Sequence, residues 1–264
     1  MHRIPPGWAT DLAILELTGS TVDDHGDHLV VRSPDNPAYH WGNCLLVTDP
    51  SACDDALGWL ERFKEEFPHA TWFAAGLAAM PGDLEAWARH GIDLEQLDVL
   101  TTATLPRAVP LPDGYSVRHL RDDDWELMAE RDIAENLSTG EYDPEVHESF
   151  VRKTISTRQR LCAEGAAAWF GAFAGSELAA DIGIVRCGSV ARYQAVGTHA
   201  SHRRRGLASH LLGVAAGWST DRGCDTWVIV TESTNDAGRV YRRAGFTLDD
   251  AEVNAYRRPP LSTP

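Results

Sequence analysis

The chain has 264 residues, 43% hydrophobic and 24% charged, and is long enough to remove roughly 70–75% of its unfolded surface from water without a metal or disulfide staple. With 24 Lys and Arg against 39 Asp and Glu it carries a formal charge of −15, a balance that gives no general footprint for nucleic acid or anionic lipid. No apolar run approaches the ~20 residues of a bilayer span, MHRIPPGWAT lacks an apolar signal segment, and the expected location is the cytoplasm. Five cysteines, odd in number and never spaced CxxC, argue against a zinc or disulfide framework, so no metal is expected.

In chain order, Leu29 to Arg32 and Asn43 to Thr48 read as strands, Cys53 to Phe67 as a helix, and Ala70 to Ala74 as a strand. A helix over Leu84 to His90 and a strand over Leu97 to Thr101 follow. His40-Trp41-Gly42-Asn43 fits either a cleft wall or a packed sheet. The proline-rich stretch TATLPRAVPLPD marks a stiff connection, which divides the chain into 1–105, a linker at 106–112, and 113–264. Residues 1–110 hold 17 acidic and 6 basic side chains, whereas 111–264 hold 22 and 18.

The second half is more legible. Tyr115 to Leu120 alternates as a strand, and Asp122-Asp123-Asp124 supplies capping acids for the helix WELMAERDIAEN. Glu145 to Arg160 is a second helix; Ala167 to Ala174 and Leu178 to Arg186 form a hairpin turning at Gly175. A strand at Ala191 to Thr198 leads through a basic loop into a helix from about Arg205 to Thr220. Trp227 to Thr231 is a strand, Asp236 to Ala244 a helix closed by Gly245, and Glu252 to Arg257 a last strand before RRPPLSTP, whose end is expected to fray.

Two patterns in the halves correspond. Ala70-Thr-Trp-Phe-Ala74 matches Asp225-Thr-Trp-Val-Ile229, and Trp87-x3-Gly91-Ile92 matches Tyr241-x3-Gly245-Phe246, at offsets of 155 and 154 residues. Their shared order points to a duplicated unit.

The segment Thr198-His-Ala-Ser-His-Arg203-Arg204-Arg205-Gly206-Leu207-Ala208 carries the chemistry. A strand ends, a basic loop turns, and a helix starts at a glycine, so free backbone amides and the helix dipole converge on an anion such as a pyrophosphate. A nucleotide loop of the form G-x-x-x-x-G-K-[ST] is not present.

Arg203-x-x-Gly206-x-Ala208 resembles the [Q/R]-x-x-G-x-[G/A] signature of the GNAT acetyltransferase superfamily, and Asn235 followed by Tyr241-x3-Gly245-Phe246 resembles its second signature. HWGNCLLV followed by WLERFKEEFP resembles the leader domain of two-domain members. The resemblance implies an α/β fold of tandem GNAT-like domains, each a mixed, mostly antiparallel central sheet flanked by helices, with the first copy degenerate and without a coenzyme. It also implies an N-acetyltransferase that moves an acetyl group from acetyl-coenzyme A to an amine of a small molecule or peptide, as a monomer or homodimer with no nucleic-acid or membrane partner. The other reading is a non-catalytic acyl-coenzyme A-binding or protein-interaction module.

By the same resemblance, Arg203, Arg204, Arg205, Gly206, Leu207 and Ala208 hold the pyrophosphate. Val196 and Thr198 present strand-end amides to the acetyl carbonyl and pantetheine arm, and Asn235 closes that arm's channel. Tyr241 protonates the departing thiolate. Gly188 to His202 contains no acid, so the base falls to Glu232, with Glu135 and Glu141 as weaker candidates. His199 and His202 read as anion contacts or solvated side chains, and Arg239, Arg242 and Arg243 as a basic face towards the coenzyme's 3′-phosphate.

Overall fold

The computed structural model describes residues 4–260; the fraying expected of residues 261–264 lies outside them. In chain order the first elements are α1 Pro6–Leu17, β1 Thr21–Asp24, β2 His28–Arg32, β3 Cys44–Val47, α2 Ala56–Glu66 and β4 Phe73–Leu77. Next come α3 Leu84–Ala88, β5 Asp93–Thr102, β6 Ser116–His119, α4 Asp122–Thr139 and α5 Pro144–Ala163. The chain continues with β7 Ala167–Ala174, β8 Glu177–Cys187, β9 Val190–Thr198, α6 Leu207–Thr220, β10 Thr226–Glu232, α7 Ala237–Ala244 and β11 Thr247–Arg257. Among the described residues no helix is long and apolar enough to cross a membrane.

Two compact units divide the chain, and neither is continuous. The first comprises Met1–Asp98, Glu135–Lys153 and Asp250–Pro264; the second comprises Val99–Ala134 and Thr154–Asp249. This differs from a division at the prolines. The stretch expected to be a linker packs inside the second unit: Arg107 N donates to Ala244 O (2.8 Å) and His210 Nδ1 to Val109 O (2.8 Å). Gly213 makes room for it, since a Cβ there would lie 2.4 Å from Ala108 Cβ.

Each unit is an α/β layer structure with a mixed, mostly antiparallel sheet. In the first, β1, β2 and β3 pair antiparallel in turn, β3 pairs parallel with β4, and β4 pairs antiparallel with β11. Both sheet faces are covered. Val30, Leu45 and Val47 bury against Trp59, Leu60 and Phe63 of α2, while Leu29, Val31 and Leu46 bury against Trp8, Leu12 and Leu15 of α1. Strands buried on both sides read as continuous apolar runs, as HLVVR and CLLV do. The entry to α1 is closed by the buried Glu252 carboxylate, which accepts Trp8 N at 2.7 Å.

Nearby, His40 is half-buried, stacked on Trp72 (4.4 Å between centroids), with Nδ1 2.6 Å from the Tyr256 hydroxyl. Burial pushes its pKa down to about 4. The unfolded chain therefore takes up a proton near pH 6.5 that the folded chain refuses until about pH 4, so stability falls as pH drops through that window and the dependence ends below it. Urea midpoints measured from pH 7 to 4 are expected to fall less in His40→Gln than in the unaltered protein.

In the second unit β10 and β9 run parallel, and β9, β8, β7 and β6 follow antiparallel. Leu207, Leu211, Leu212, Ala215 and Ala216 of α6 form the core with Ile182, Ile184 and Ile229, and truncating such a leucine costs about 2–5 kcal/mol. The three-acid run at the start of α4 does more than cap. Asp124 is buried, accepts Arg121 N (2.6 Å) and pairs with Arg118, whose guanidinium lies 3.8 Å from the Phe173 ring centroid. The Arg118 hydrogen bond holds the Asp124 carboxyl below its usual range.

Candidate functional site

Regular pairing fails at the end of β9. Asp181 faces Gly197 and Gly183 faces Gln194, so Ile182 stands opposite both Ala195 and Val196, which is a β-bulge. Ala195 takes φ +48°, an uncommon value for a residue with a Cβ. On its other side β9 pairs with β10 only from Val190–Arg192 to Thr226–Val228, although the strands run on to Thr198 and Glu232. Their ends leave a gap lined by backbone groups not spent on each other. The first unit shows the opposite: β3 and β4 stay paired through their last residues, Val47 and Leu77, and Ala78 N still donates to Val47 O.

The loop after the gap is built to keep its amides available. Arg204 (φ +62°) and Gly206 (φ +82°) both take left-handed backbone, and α6 begins with no side chain capping its amides. In the first unit the Asp55 carboxylate caps α2 by accepting Gly58 N at 2.9 Å, placing a negative charge where an anion would sit.

The loop arginines divide their work. Arg203 Nε donates to Thr198 O (3.3 Å), tying the loop to the strand end. Arg205 donates to Ser201 O (3.2 Å) and to the Tyr115 hydroxyl (3.0 Å). That hydroxyl lies 2.7 Å from His202 Nδ1, and His202 Nε2 lies 3.0 Å from Glu177. His202 is thus a buried strut rather than an anion contact. Exposed Arg204 has no partner among the described residues and is the free cation of the loop. Glu177, His199 and His202 bring ligand-type atoms within 4.8 Å of one another, but both His202 nitrogens are already engaged, and we assign no metal there.

Tyr241 lies on α7, which packs against α6 and β10. The ring is buried, the hydroxyl makes no hydrogen bond to another described residue, and burial pushes its pKa up to about 12. At the corresponding place in the first unit the Trp87 indole donates to Cys53 O (3.2 Å). Asn235 is exposed and its Oδ1 accepts Ala237 N (2.9 Å), so this side chain serves the entry of α7. Glu232 is exposed at the end of β10 and makes no ion pair with a described residue. Glu135 and Glu141 fall in the first unit, where Glu141 pairs with Arg258.

One carboxylate escaped the sequence. Asp181, 1% exposed, sits on β8 opposite Gly197, with Oδ1 2.6 Å from Arg131 and Oδ2 without a partner among the described residues. A Cβ on Gly197 would approach Asp181 Oδ1 to 3.1 Å, so a side chain there would press on the carboxylate that β8 supplies. Only the register across the bulge reveals this.

The acetyltransferase (GNAT) family model matches residues 122–246. No curated protein matches the chain by sequence. A GCN5-related N-acetyltransferase from Kribbella flavida is similar over 96% of both chains, with 16% identity and a TM-score of 0.62. One from Sphaerobacter thermophilus is similar over 89% of this chain and 82% of its own, at 20% identity and a TM-score of 0.59. A tandem GNAT protein from the clavulanic acid biosynthesis pathway covers 99% of this chain and 91% of its own, at 17% identity and a TM-score of 0.57. At these identities the likeness is one of architecture: the chain has the GNAT-type acetyltransferase fold.

Proposed function

We propose that the second unit transfers an acetyl group from acetyl-coenzyme A to an amine of a small molecule or peptide. The observation that carries this reading is the gap between β9 and β10, followed along the chain by an uncapped helix entry with a free arginine. The amides of Arg204 to Ala208 hold the pyrophosphate, with Arg204 adding charge and Arg203 and Arg205 holding the loop in shape. Amides of the bulged strand end, at Val196 and Thr198, polarise the acetyl carbonyl.

The amine nitrogen attacks the carbonyl carbon and the carbon–sulfur bond breaks. Tyr241 gives its proton to the departing sulfur, and Glu232 takes the proton lost by the amine, directly or through water. Asp181, held by Arg131, is a positioning residue for the bulge.

The first unit is a second copy of the same design that no longer takes coenzyme. The order β3, α2, β4, α3, β5 parallels β9, α6, β10, α7, β11, and Gly91 and Gly245 both take left-handed backbone. Its unbroken parallel pairing and acid-capped helix oppose a pyrophosphate.

Thiol release from acetyl-coenzyme A, followed over a panel of polyamines, aminoglycosides and peptides, tests the reading. At least one amine is expected to raise release above hydrolysis, and Glu232→Gln to lower kcat/KM for it about 100-fold. A panel in which no amine accelerates release contradicts transfer; equal rates in the two proteins remove Glu232 as base.

A further inference from the structure

One recess within the first unit belongs to none of this chemistry. It is a cavity of about 840 Å³ between the loop carrying His40-Trp41-Gly42-Asn43, the segment that leads into β4, the end of β11 and the residues that open α5. That volume falls in the range of small-molecule sites. Aromatic rings dominate its wall, among them Tyr39, Trp41, Trp72, Tyr142, Phe150 and Tyr256. They brace one another: Tyr39 packs on Phe150 (5.7 Å between centroids) and Tyr256 on Trp41 (5.8 Å).

The charged side chains described at the wall have one sign: Glu66 and Asp143 line it, and among the described residues no Lys or Arg does. Arg32, the cation paired with Glu66, is shared with Asp23, so that group keeps a net negative charge. The imidazole of His40 is neutral at pH 7 and adds no positive charge. The surroundings agree: the first unit holds 24 Asp and Glu against 9 Lys and Arg, whereas the second holds 15 of each. One ring of the wall already has a cation beside it, since Arg258 lies 5.8 Å from the Tyr142 ring centroid.

We propose that this cavity binds a small organic cation, an ammonium group carried on an apolar or aromatic body. Aromatic faces attract a desolvated cation through the ring quadrupole, and the carboxylates at the wall add Coulombic attraction. The buried Trp72 Nε1 has no hydrogen-bond partner among the described residues. The cavity is independent of acetyl transfer, because every residue that lines it belongs to the first unit.

The test is calorimetric titration of the full chain with benzyltrimethylammonium, with neopentylbenzene, its uncharged carbon isostere, and with phenylacetate. The cation is expected to bind at least about tenfold more tightly than the isostere, and the anion not measurably. Trp41→Leu is expected to weaken the cation at least about tenfold. Asp143→Asn, which keeps an oxygen for the Glu145 and Val146 amides it accepts, is expected to weaken it severalfold with the thermal midpoint unchanged. Equal binding of cation and isostere, no binding of the cation, or cation binding indifferent to both substitutions overturns the proposal.

Discussion

Tyr241→Phe is expected to lower kcat about 100-fold while leaving the dissociation constant of coenzyme A within about twofold. The asymmetry follows from where the hydroxyl stands. The ring belongs to the core of the second unit, so phenylalanine preserves the packing, and the lost oxygen has no hydrogen-bond partner among the described residues to strand. What disappears is a proton donor. With the pKa pushed up to about 12, the phenol stays protonated across the working range, so no loss of rate from its ionisation is expected below about pH 11. The same shift has a stability counterpart: its contribution is whole below pH 10, the ordinary value, and is lost as pH rises through about 12. Unchanged turnover in the phenylalanine variant would remove the acid from the mechanism while leaving coenzyme binding intact.

Gly206→Val is the second large effect. At φ +82° a β-branched residue is strained, and its Cβ would also meet Val109 Cγ2 at 3.3 Å. A cost of about 2 kcal/mol is expected, visible as a fall in thermal midpoint of about 4–8 °C. Coenzyme affinity should fall further than stability predicts, by at least about tenfold, because the strained residue redirects the amides that enter α6. Circular dichroism melting and calorimetric titration read the two consequences separately. A variant that melts early yet binds coenzyme normally would mean that the loop is a structural turn only.

Much of the second unit was legible because its signals are local. Gly175 (φ +65°) and Gly245 (φ +111°) sit where the hairpin and helix cap were placed, and the order of strands and helices from β6 to β11 agrees with the reading. α1 was invisible for a physical reason: PGWATDLAILEL spreads its apolar residues round the helix and presents no single stripe. β4 begins at Phe73 rather than Ala70, since Thr71 and Trp72 have strand composition but precede the ladder.

What depends on distant pairing was not legible. The tip of the α4–α5 hairpin belongs to the first unit, a fact of long-range contact. Asp181 was not legible because β9 itself carries no acid, and this residue comes from the neighbouring strand in a register shifted by a bulge. Pattern likewise left His40-Trp41-Gly42-Asn43 undecided, and their place at an aromatic cavity emerges only when residues more than 200 positions apart, such as His40 and Tyr256, meet.

Titration of the full chain with acetyl-coenzyme A, beside Arg204→Glu, tests whether this loop receives the pyrophosphate. Saturable binding below about 0.1 mM that weakens at least about tenfold in the charge-reversed variant is the expected result. Silence up to millimolar coenzyme, or affinity indifferent to the sign of charge at Arg204, contradicts the claim that this loop receives the pyrophosphate.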